Sequence, residues 1–335
     1  MDINNNSNSL FQNENIYEPK INSYLIKKNS SDGVGFVLSR MIGSTEIDSL
    51  DPFLLYDETK PEIDDGYDRG FPMHPHRGIQ LLSYTVQGSQ RQKDTTGSDR
   101  HTKEGDLLLI ITGSGVYHSL IPQTQNDPNN NSSSNNNNNN ENNENSNKTN
   151  TDPIWHVFFW INLYAKDKMS KPETQYVEAQ QVPIYRKSNI TAKILCGTYQ
   201  NLTSPLKPRG VIPLVLDITI QKQKTEIFQY DIESHYNSFI HIISGQLMVN
   251  NVPIPSEHNI IIFNNNQNQS TSNSKPFRIQ VQPLNITDTE TRFIFGNGKK
   301  TGEPIVKFGP YVMNTQQEIH QCFLDFGEHQ LPTSS

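Results

Sequence analysis

The sequence predicts an all-β protein made of two similar halves, followed by one short C-terminal helix. Short alternating or uniformly apolar segments recur along the chain, and glycine and proline turns separate them. The stretch 239–249 is similar to 81–91 around Gly245 and Gly88, which indicates a weak internal duplication. A barrel-like β domain in each half is therefore the predicted architecture.

The first half is expected to begin after a disordered N-terminal segment, 1–23. Residues 24–41 predict strand and turn, and 51–56 form a short apolar stretch after a proline turn. Residues 107–112 predict a fully apolar strand that follows a tight polar turn. These elements define a first β domain, predicted at 24–165.

An Asn- and Ser-rich insertion interrupts this first domain at about residues 123–152 and includes the unbroken asparagine run 135–140. This composition cannot bury enough apolar surface to fold, so the insertion is predicted to be disordered. Because it lies between two apolar strand candidates, it is interpreted as an inserted loop and not as a domain linker. The fold tolerates such a loop, since the entropic cost of closing a loop grows only slowly with its length.

The second half repeats the strand-and-turn pattern, and a second β domain is predicted at 175–312. It contains no His-x-His pair; His235 and His241 are isolated and are interpreted as packed or surface histidines, so no metal is expected there. A C-terminal helix is predicted at 314–328. The segment Thr315-Gln-Gln-Glu318 has the form of a capping box, and apolar positions at helical spacing follow it.

The composition argues against several classes of function. The chain of 335 residues carries a formal net charge of -7 and no basic cluster, so direct nucleic-acid binding is not expected. No apolar run reaches the ~18 residues of a membrane span, and the N-terminus lacks the features of a secretory signal. Cys196 and Cys322 have no metal-type spacing and are interpreted as ordinary thiols in a reducing compartment. We therefore expect a cytoplasmic or nuclear protein.

His74 and His76 are the strongest functional signal in the chain. Residues two apart on a strand point to the same face, so this pair aims two imidazoles at one point. Imidazole is a common ligand of transition metals. A third histidine, His118, follows a glycine-rich bend, and a barrel would bring it to the same place. The sequence thus predicts a metal site on these three histidines; a polar barrel mouth with unliganded histidines is the alternative.

Two neighbouring positions bear on the ligand set. In an unbulged strand over 74–86, Gln80 faces the same interior as the histidines, where it would contact the metal or hydrogen-bond a bound water. Leu120 lies two residues after His118 on the same face and cannot bind a metal. The predicted site is therefore three neutral imidazoles plus water, without a carboxylate base beside the metal. Arg77 is interpreted either as an electrostatic neighbour of the site or as a surface or ion-pairing arginine.

Six ordered segments carry a family resemblance. They are Leu-Asp-Pro-Phe-Leu-Leu-Tyr-Asp (50–57), Phe-Pro-Met-His-Pro-His-Arg-Gly (71–78), Glu-Gly-Asp-Leu (104–107), Gly-Ser-Gly-Val-Tyr-His-Ser (113–119), Trp-Ile-Asn-Leu (160–163) and Gly-Pro-Tyr-Val-Met-Asn-Thr-Gln-Gln-Glu-Ile (309–319). In wording and order they resemble the pirin family of the cupin superfamily. The resemblance runs from about Tyr24 to Phe326, apart from the Asn-rich insertion.

The resemblance implies a monomeric bicupin, in which two tandem antiparallel cupin (jelly-roll type) β-barrels precede a short C-terminal helix. It implies one iron ion, Fe(II) or Fe(III), in the N-terminal barrel and no metal in the C-terminal barrel. The family's three histidine ligands fall on His74, His76 and His118. Its fourth ligand, a glutamate, falls on Leu120, and the glutamate of the general cupin motif falls on Gln80. Both acidic positions are thus neutral in this chain.

Two functions are implied by the resemblance, and a third follows from the departures. The favoured one is a redox-responsive transcription co-regulator that binds a transcription factor or another nuclear protein, since a binding role tolerates Leu120. The alternative is a quercetinase-type flavonol 2,3-dioxygenase, which Leu120 weakens because it cannot take the proton of a flavonol substrate. The third is a metal-free pseudo-cupin that acts through its surface. No catalytic residue is assigned.

Overall fold

The computed structural model of the chain describes residues 23–25, 28–32, 36–60, 70–122, 154–221, 227–263, 276–284 and 290–327. The predicted N-terminal disorder, apart from Ser23, and the Asn-rich insertion at 123–152 lie outside the described residues.

Within these ranges the chain forms antiparallel strands, two 3-10 turns (Ala165–Asp167 and Ala179–Gln181) and one α-helix, α1 (Gln316–Asp325). The strands up to the second 3-10 turn are β1 (Ser23–Leu25), β2 (Lys28–Asp32), β3 (Phe36–Ile42), β4 (Phe53–Thr59), β5 (Phe71–His76), β6 (Ile79–Gln87), β7 (Ser89–Asp94), β8 (Asp99–Lys103), β9 (Leu107–Ile111), β10 (Val116–Pro122), β11 (Trp155–Asn162) and β12 (Glu173–Val177). The later strands are β13 (Ile184–Lys187), β14 (Ile190–Cys196), β15 (Thr198–Tyr199), β16 (Leu202–Thr203), β17 (Leu214–Ile220), β18 (Phe228–Ile232), β19 (Tyr236–Ser244), β20 (Leu247–Val249), β21 (Val252–Pro253), β22 (Ile260–Phe263), β23 (Phe277–Pro283), β24 (Thr291–Lys299), β25 (Val306–Phe308) and β26 (Tyr311–Met313).

Each half consists mainly of a seven-stranded and a four-stranded sheet. In the first half the strand orders are β12-β9-β6-β11-β4-β3-β2 and β5-β10-β7-β8. In the second half they are β1-β22-β19-β24-β17-β14-β13 and β18-β23-β20-β21. The predicted all-β, cupin-type fold with a short C-terminal helix is confirmed. The N-terminal strand β1 pairs with β22 of the second half. In the other direction, Tyr311 of β26 forms an isolated bridge with Arg77 of the first half.

The two largest of the four apolar cores in the described structure hold the sheets together. In the second half, the two sheets pack on each other through buried residues that include Phe228 and Phe293. A larger core lies between the two seven-stranded sheets and joins the halves. There the rings of Tyr56 and Phe159 stack with their centroids 4.3 Å apart, and both lie against Phe239 of the second half. Burial of one such side chain contributes roughly 1.5–3 kcal/mol. Because this core contains residues of both halves, it stabilises both at once.

The predicted continuous strand over 74–86 is broken at Gly78. β5 ends at His76 and β6 begins at Ile79, and the two strands belong to different sheets. Gly78 has a φ of 82°, and a Cβ atom at this position would lie 2.0 Å from the carbonyl oxygen of Val312. This turn therefore requires glycine, and it interrupts the alternation of side chains between the two faces.

The C-terminal helix begins where the capping motif predicts. Thr315 Oγ1 accepts a hydrogen bond from the backbone N–H of Glu318 at 3.2 Å, while the Glu318 carboxylate accepts one from Asn314 N at 3.1 Å. The helix buries Ile319 and Phe323 against β25 and β26. No helix in the described part of the chain is both long and apolar enough to cross a membrane.

Candidate metal centre

Three histidines from two neighbouring strands meet in the first half. His74 and His76 lie on β5 and His118 lies on β10, and the two strands pair with His118 opposite His74. Each histidine offers one ring nitrogen such that all three nitrogens lie within 4.8 Å of one another. The structure thus brings together the three residues that the His-x-His spacing and the later glycine bend predicted, at a separation that one metal ion could bridge.

Backbone carbonyls orient two of the rings. His74 Nδ1 lies 2.7 Å from the carbonyl oxygen of Pro72, and His76 Nδ1 lies 3.2 Å from that of Pro310. When Nδ1 carries the proton and donates to a carbonyl, the lone pair of the neutral ring is on Nε2. This arrangement fixes the tautomer and the direction of a metal-ligating histidine.

His118 supplies the observation that best fits a metal. It is 6% exposed, and neither of its ring nitrogens has a hydrogen-bond partner within the described structure. A buried polar atom without a partner costs about 1–3 kcal/mol, so such atoms are rare in native folds. A metal ion bound to one nitrogen would remove half of this penalty, so the residues present fit the group that the fold family implies.

Burial keeps two of the imidazoles neutral. Desolvation lowers the pKa of His76 and that of His118 well below the ordinary value, and the neighbouring histidines lower both pKa values further. Only the neutral ring can donate a lone pair, because protonation competes with metal binding. At neutral pH the rings of His76 and His118 are therefore already in the protonation state that binds a metal.

The histidines lie in the wall of a cavity of about 510 Å³, a volume typical of small-molecule sites. Its walls are largely aromatic and aliphatic, with Phe71, Phe158 and Trp160 contributing rings. The Trp160 ring meets His76 edge to face, with the ring centroids 5.1 Å apart. Apolar walls next to the imidazoles limit the access of water and suit a ligand with an aromatic body.

The prediction that Gln80 faces the histidines is wrong. Its side chain lies on the opposite face of β6, where Nε2 donates to Val211 O at 3.1 Å and Oε1 accepts from Arg209 N at 2.7 Å. The break at Gly78 is the reason, because it puts the odd-numbered positions of β6 on the cavity side, and Leu81 lines the cavity instead. Gln80 therefore joins the halves and contacts no metal site.

Leu120 does lie at the cavity, as the sequence predicts. It is 6% exposed and lines the cavity beyond an irregularity of β10 between His118 and Leu120. An apolar side chain thus occupies the position next to the third histidine. Among the described residues that line the cavity, none is a carboxylate, and the charged ones are Arg40 and Lys307.

Arg77 forms an ion pair, the second of its two interpretations. Its Nη1 donates to Asp325 Oδ2 at 2.6 Å, its Nε donates to Ser114 O at 2.8 Å, and its guanidinium lies 4.9 Å from the ring centroid of Phe326. Arg77 does not line the cavity. Its ion pair instead joins the end of the C-terminal helix to the chain just after β5, next to His76.

Sequence reasoning missed two features of the site. The first is the C-terminal segment, which supplies the Pro310 carbonyl to His76 and places Lys307 at the cavity. The second is His156 on β11, which is 1% exposed and has no hydrogen-bond partner for Nε2 among the described atoms. Burial lowers the pKa of His156 to about 3. Its position two residues before Phe158, on the cavity side of the strand, was the available signal.

Comparison with known proteins identifies the family. The chain matches the family model for pirin over residues 35–133 and the model for the pirin C-terminal cupin domain over residues 215–332. It is 27% identical to human pirin over 311 residues, which cover 92% of each chain. It is 28% identical to a pirin-like protein of Solanum lycopersicum over 306 residues, or 90% of this chain and 89% of that protein.

Solved structures share the fold. A structure described as quercetin 2,3-dioxygenase from Acinetobacter baumannii superposes with a TM-score of 0.70 at 19% identity, covering 93% of this chain and 97% of that one. The bacterial pirin YhhW from Escherichia coli, solved in complex with nickel(II), superposes with a TM-score of 0.54 at 13% identity, covering 85% and 99%. At these identities the likeness concerns the fold alone.

Proposed function

The chain belongs to the pirin family, and from this premise we propose that it holds one divalent transition-metal ion, iron in the first place, on His74, His76 and His118. The observation that carries the proposal is the pair of buried, unpartnered ring nitrogens of His118. Two further observations support it: the buried rings of His76 and His118 are neutral, and backbone carbonyls orient the rings of His74 and His76. Without an anionic protein ligand, we expect weaker retention of the ion than a site with a carboxylate would give.

A bound ion would supply Lewis acidity and, in the case of iron, redox chemistry at the cavity wall. The chain's own residues would do the rest. Phe71, Phe158 and Trp160 would hold a flat ligand and exclude water, and the Pro310 carbonyl would keep His76 in place. These are the parts of a ligand-binding site; a proton acceptor is not among them.

We place a regulatory binding role ahead of catalysis. The support is the composition of the cavity: its described lining contains no carboxylate beside the histidines, and Leu120 cannot accept a proton from a substrate. In this role the protein would act in the cytoplasm or the nucleus as a co-regulator and bind a transcription factor or another nuclear protein, with the iron oxidation state altering the binding surface. The proposal is tested by comparing cross-linked partners of iron-loaded wild type with those of His118→Ala.

A flavonol dioxygenase activity is the second candidate. The cavity favours it, because its volume of about 510 Å³ and its aromatic walls suit a planar ligand next to the histidines. The test is loss of quercetin absorbance with iron-loaded protein in air. We expect turnover well below the ~1 s⁻¹ at the low end of ordinary enzymes. Turnover above that rate would place catalysis first.

Metal content tests the core of the proposal. The protein would be purified without oxygen and its iron measured by elemental analysis, in wild type, in His118→Ala and in His235→Ala, which replaces an exposed histidine. We expect close to one iron per chain in wild type and in the control, and little in His118→Ala. Wild-type protein that is metal-free and takes up no added Fe(II) would contradict the proposal. A metal-free pseudo-cupin that acts through its surface would then be the remaining candidate function.

A further inference from the structure

Among the described residues that line the cavity, the charged ones are both basic. Arg40 and Lys307 line it, whereas their acidic partners do not: Arg40 Nη2 donates to Asp57 Oδ2 at 2.7 Å, and Lys307 Nζ donates to Asp48 Oδ1 at 2.7 Å. Both cations are largely shielded, with 21% of each side chain exposed. The described lining thus contains the basic member of each ion pair and not the acidic one.

The histidines add no negative charge to this environment. Three neutral imidazoles would leave the full charge of a divalent ion uncompensated, and the apolar walls around them screen that charge poorly. Leu120 occupies the position next to His118 from which a carboxylate could have offset it. The compensation must then come from the ligand, because burying an unbalanced charge is costly.

The described lining of the cavity also offers no base that could take a ligand's proton. Its only hydroxyl is that of Ser83, which is not a base at neutral pH, and its imidazoles are the proposed metal ligands. A neutral protic ligand would have to give its proton to bulk water before it could bind as an anion. A ligand that is already ionised at neutral pH avoids this step.

We propose that this site selects aromatic oxyanions, ligands with a flat ring and a carboxylate or similarly acidic oxygen group, over neutral protic aromatics of the same shape. The inference rests on the proposed metal site and names the ligand class of its cavity. Phe71, Phe158 and Trp160 hold the ring. The metal, with the basic residues Arg40 and Lys307 in the same lining, attracts the oxyanion, and Leu120 adds no protein carboxylate that would offset the metal's charge.

The test compares salicylate with salicylamide, which is similar in shape and neutral at the amide. Their dissociation constants would be measured at pH 7 by Trp fluorescence and by the visible absorption of Co(II)-loaded protein. We expect wild type to bind salicylate at least about tenfold more tightly than salicylamide, which corresponds to about 1.4 kcal/mol. The preference should shrink in the metal-free protein.

Two substitutions at one position separate charge from shape. Leu120→Glu adds a carboxylate and should abolish or reverse the preference, while Leu120→Gln, of nearly equal size and neutral, should retain it. Equal affinities for the two probes in Co(II)-loaded wild type, binding of neither probe, or the same effect of both substitutions would overturn the inference while leaving the metal site intact. A chain that takes up no Co(II) would overturn the proposed metal site and this inference with it.

Discussion

At the residue scale, the candidate site depends on burial more than on any single hydrogen bond. Desolvation lowers the pKa of His76 and His118, which keeps both rings neutral and able to bind a metal. The same burial deprives His118 of water and of protein partners. A buried residue whose two ring nitrogens have no hydrogen-bond partner among the described residues contributes little to stability, and a bound ligand better explains its placement.

His156 gives a prediction about acid stability. Burial holds its pKa at about 3, whereas an exposed histidine titrates near 6.5. Between these values the unfolded chain binds more protons, so stability is complete above pH 6.5 and falls as the pH drops toward 3. At pH 5 this one histidine should cost about 2 kcal/mol.

Replacing His156 with Phe should remove this contribution to the loss of stability at low pH. Urea unfolding of metal-free protein at pH 7.5 and pH 5 measures it, with His235→Phe, at an exposed position, as the matched control. Between the two pH values, the free energy of unfolding of His156→Phe should fall by about 2 kcal/mol less than that of wild type. The control should behave as wild type does. An unchanged acid loss in His156→Phe would show that its burial does not govern the titration.

At the scale of elements, local patterns predicted the histidine cluster and failed one turn later. His74 and His76 share a face because β5 is regular between them, and that much follows from strand periodicity. The prediction put the Gln80 side chain on the wrong face, because the chain leaves one sheet and enters another at Gly78. The local sequence pattern does not indicate this change of sheet. The register is set instead by close packing of Gly78 on Val312, more than 200 residues away in sequence.

The C-terminal segment is the element whose role the sequence could least predict. Its Pro310 accepts from His76, its backbone at Val312 donates to Arg77 O at 3.1 Å, and the ring of Phe326 lies 5.4 Å from that of Tyr117, next to His118. It thus braces both strands that carry the histidines. Such contacts join residues far apart in sequence, and propensity and periodicity describe only near neighbours.

Asp325→Asn tests this brace. Loss of the Arg77 ion pair should weaken Co(II) binding several-fold, because the strand that ends at His76 loses its anchor. It should also cost about 1–3 kcal/mol of stability, because the buried Arg77 guanidinium loses a charged partner. Asp99→Asn is the control, since it breaks an exposed pair with Arg91 in the same sheet, away from the histidines. Equal Co(II) affinities in Asp325→Asn and wild type, measured by titration, would speak against the brace.

At the scale of the whole molecule, the two halves share one core and one buried ion-pair network. Asp217 of β17 is 2% exposed and accepts hydrogen bonds from Arg292 at 2.9 and 2.7 Å and from Tyr84 of the first half at 2.9 Å. Burial, followed by the charge of Asp217, raises the pKa of Tyr84 well above its usual value, so the phenol stays a donor. The halves should therefore unfold together.

Calorimetry tests this coupling. Metal-free wild type should show a single transition, and Asp217→Ala should lower its stability by about 3–5 kcal/mol, because the substitution removes a buried carboxylate and leaves the half-buried Arg292 guanidinium and the buried Tyr84 hydroxyl without their partner. Asp231→Ala, which removes an exposed ion pair with Arg278, should cost at most ~1 kcal/mol. Two resolved transitions in wild type would mean that the shared core does not couple the halves.

The central claim is that three neutral histidines, without a protein carboxylate, hold one metal ion in the first half. Anomalous X-ray diffraction from crystals loaded with Co(II) or Fe(II) tests it most directly. We expect one peak per chain, about 2.1 Å from a ring nitrogen of each of His74, His76 and His118, with no carboxylate oxygen of the chain in coordination. A peak elsewhere, a protein carboxylate among the ligands, or no peak in fully soaked crystals would contradict it.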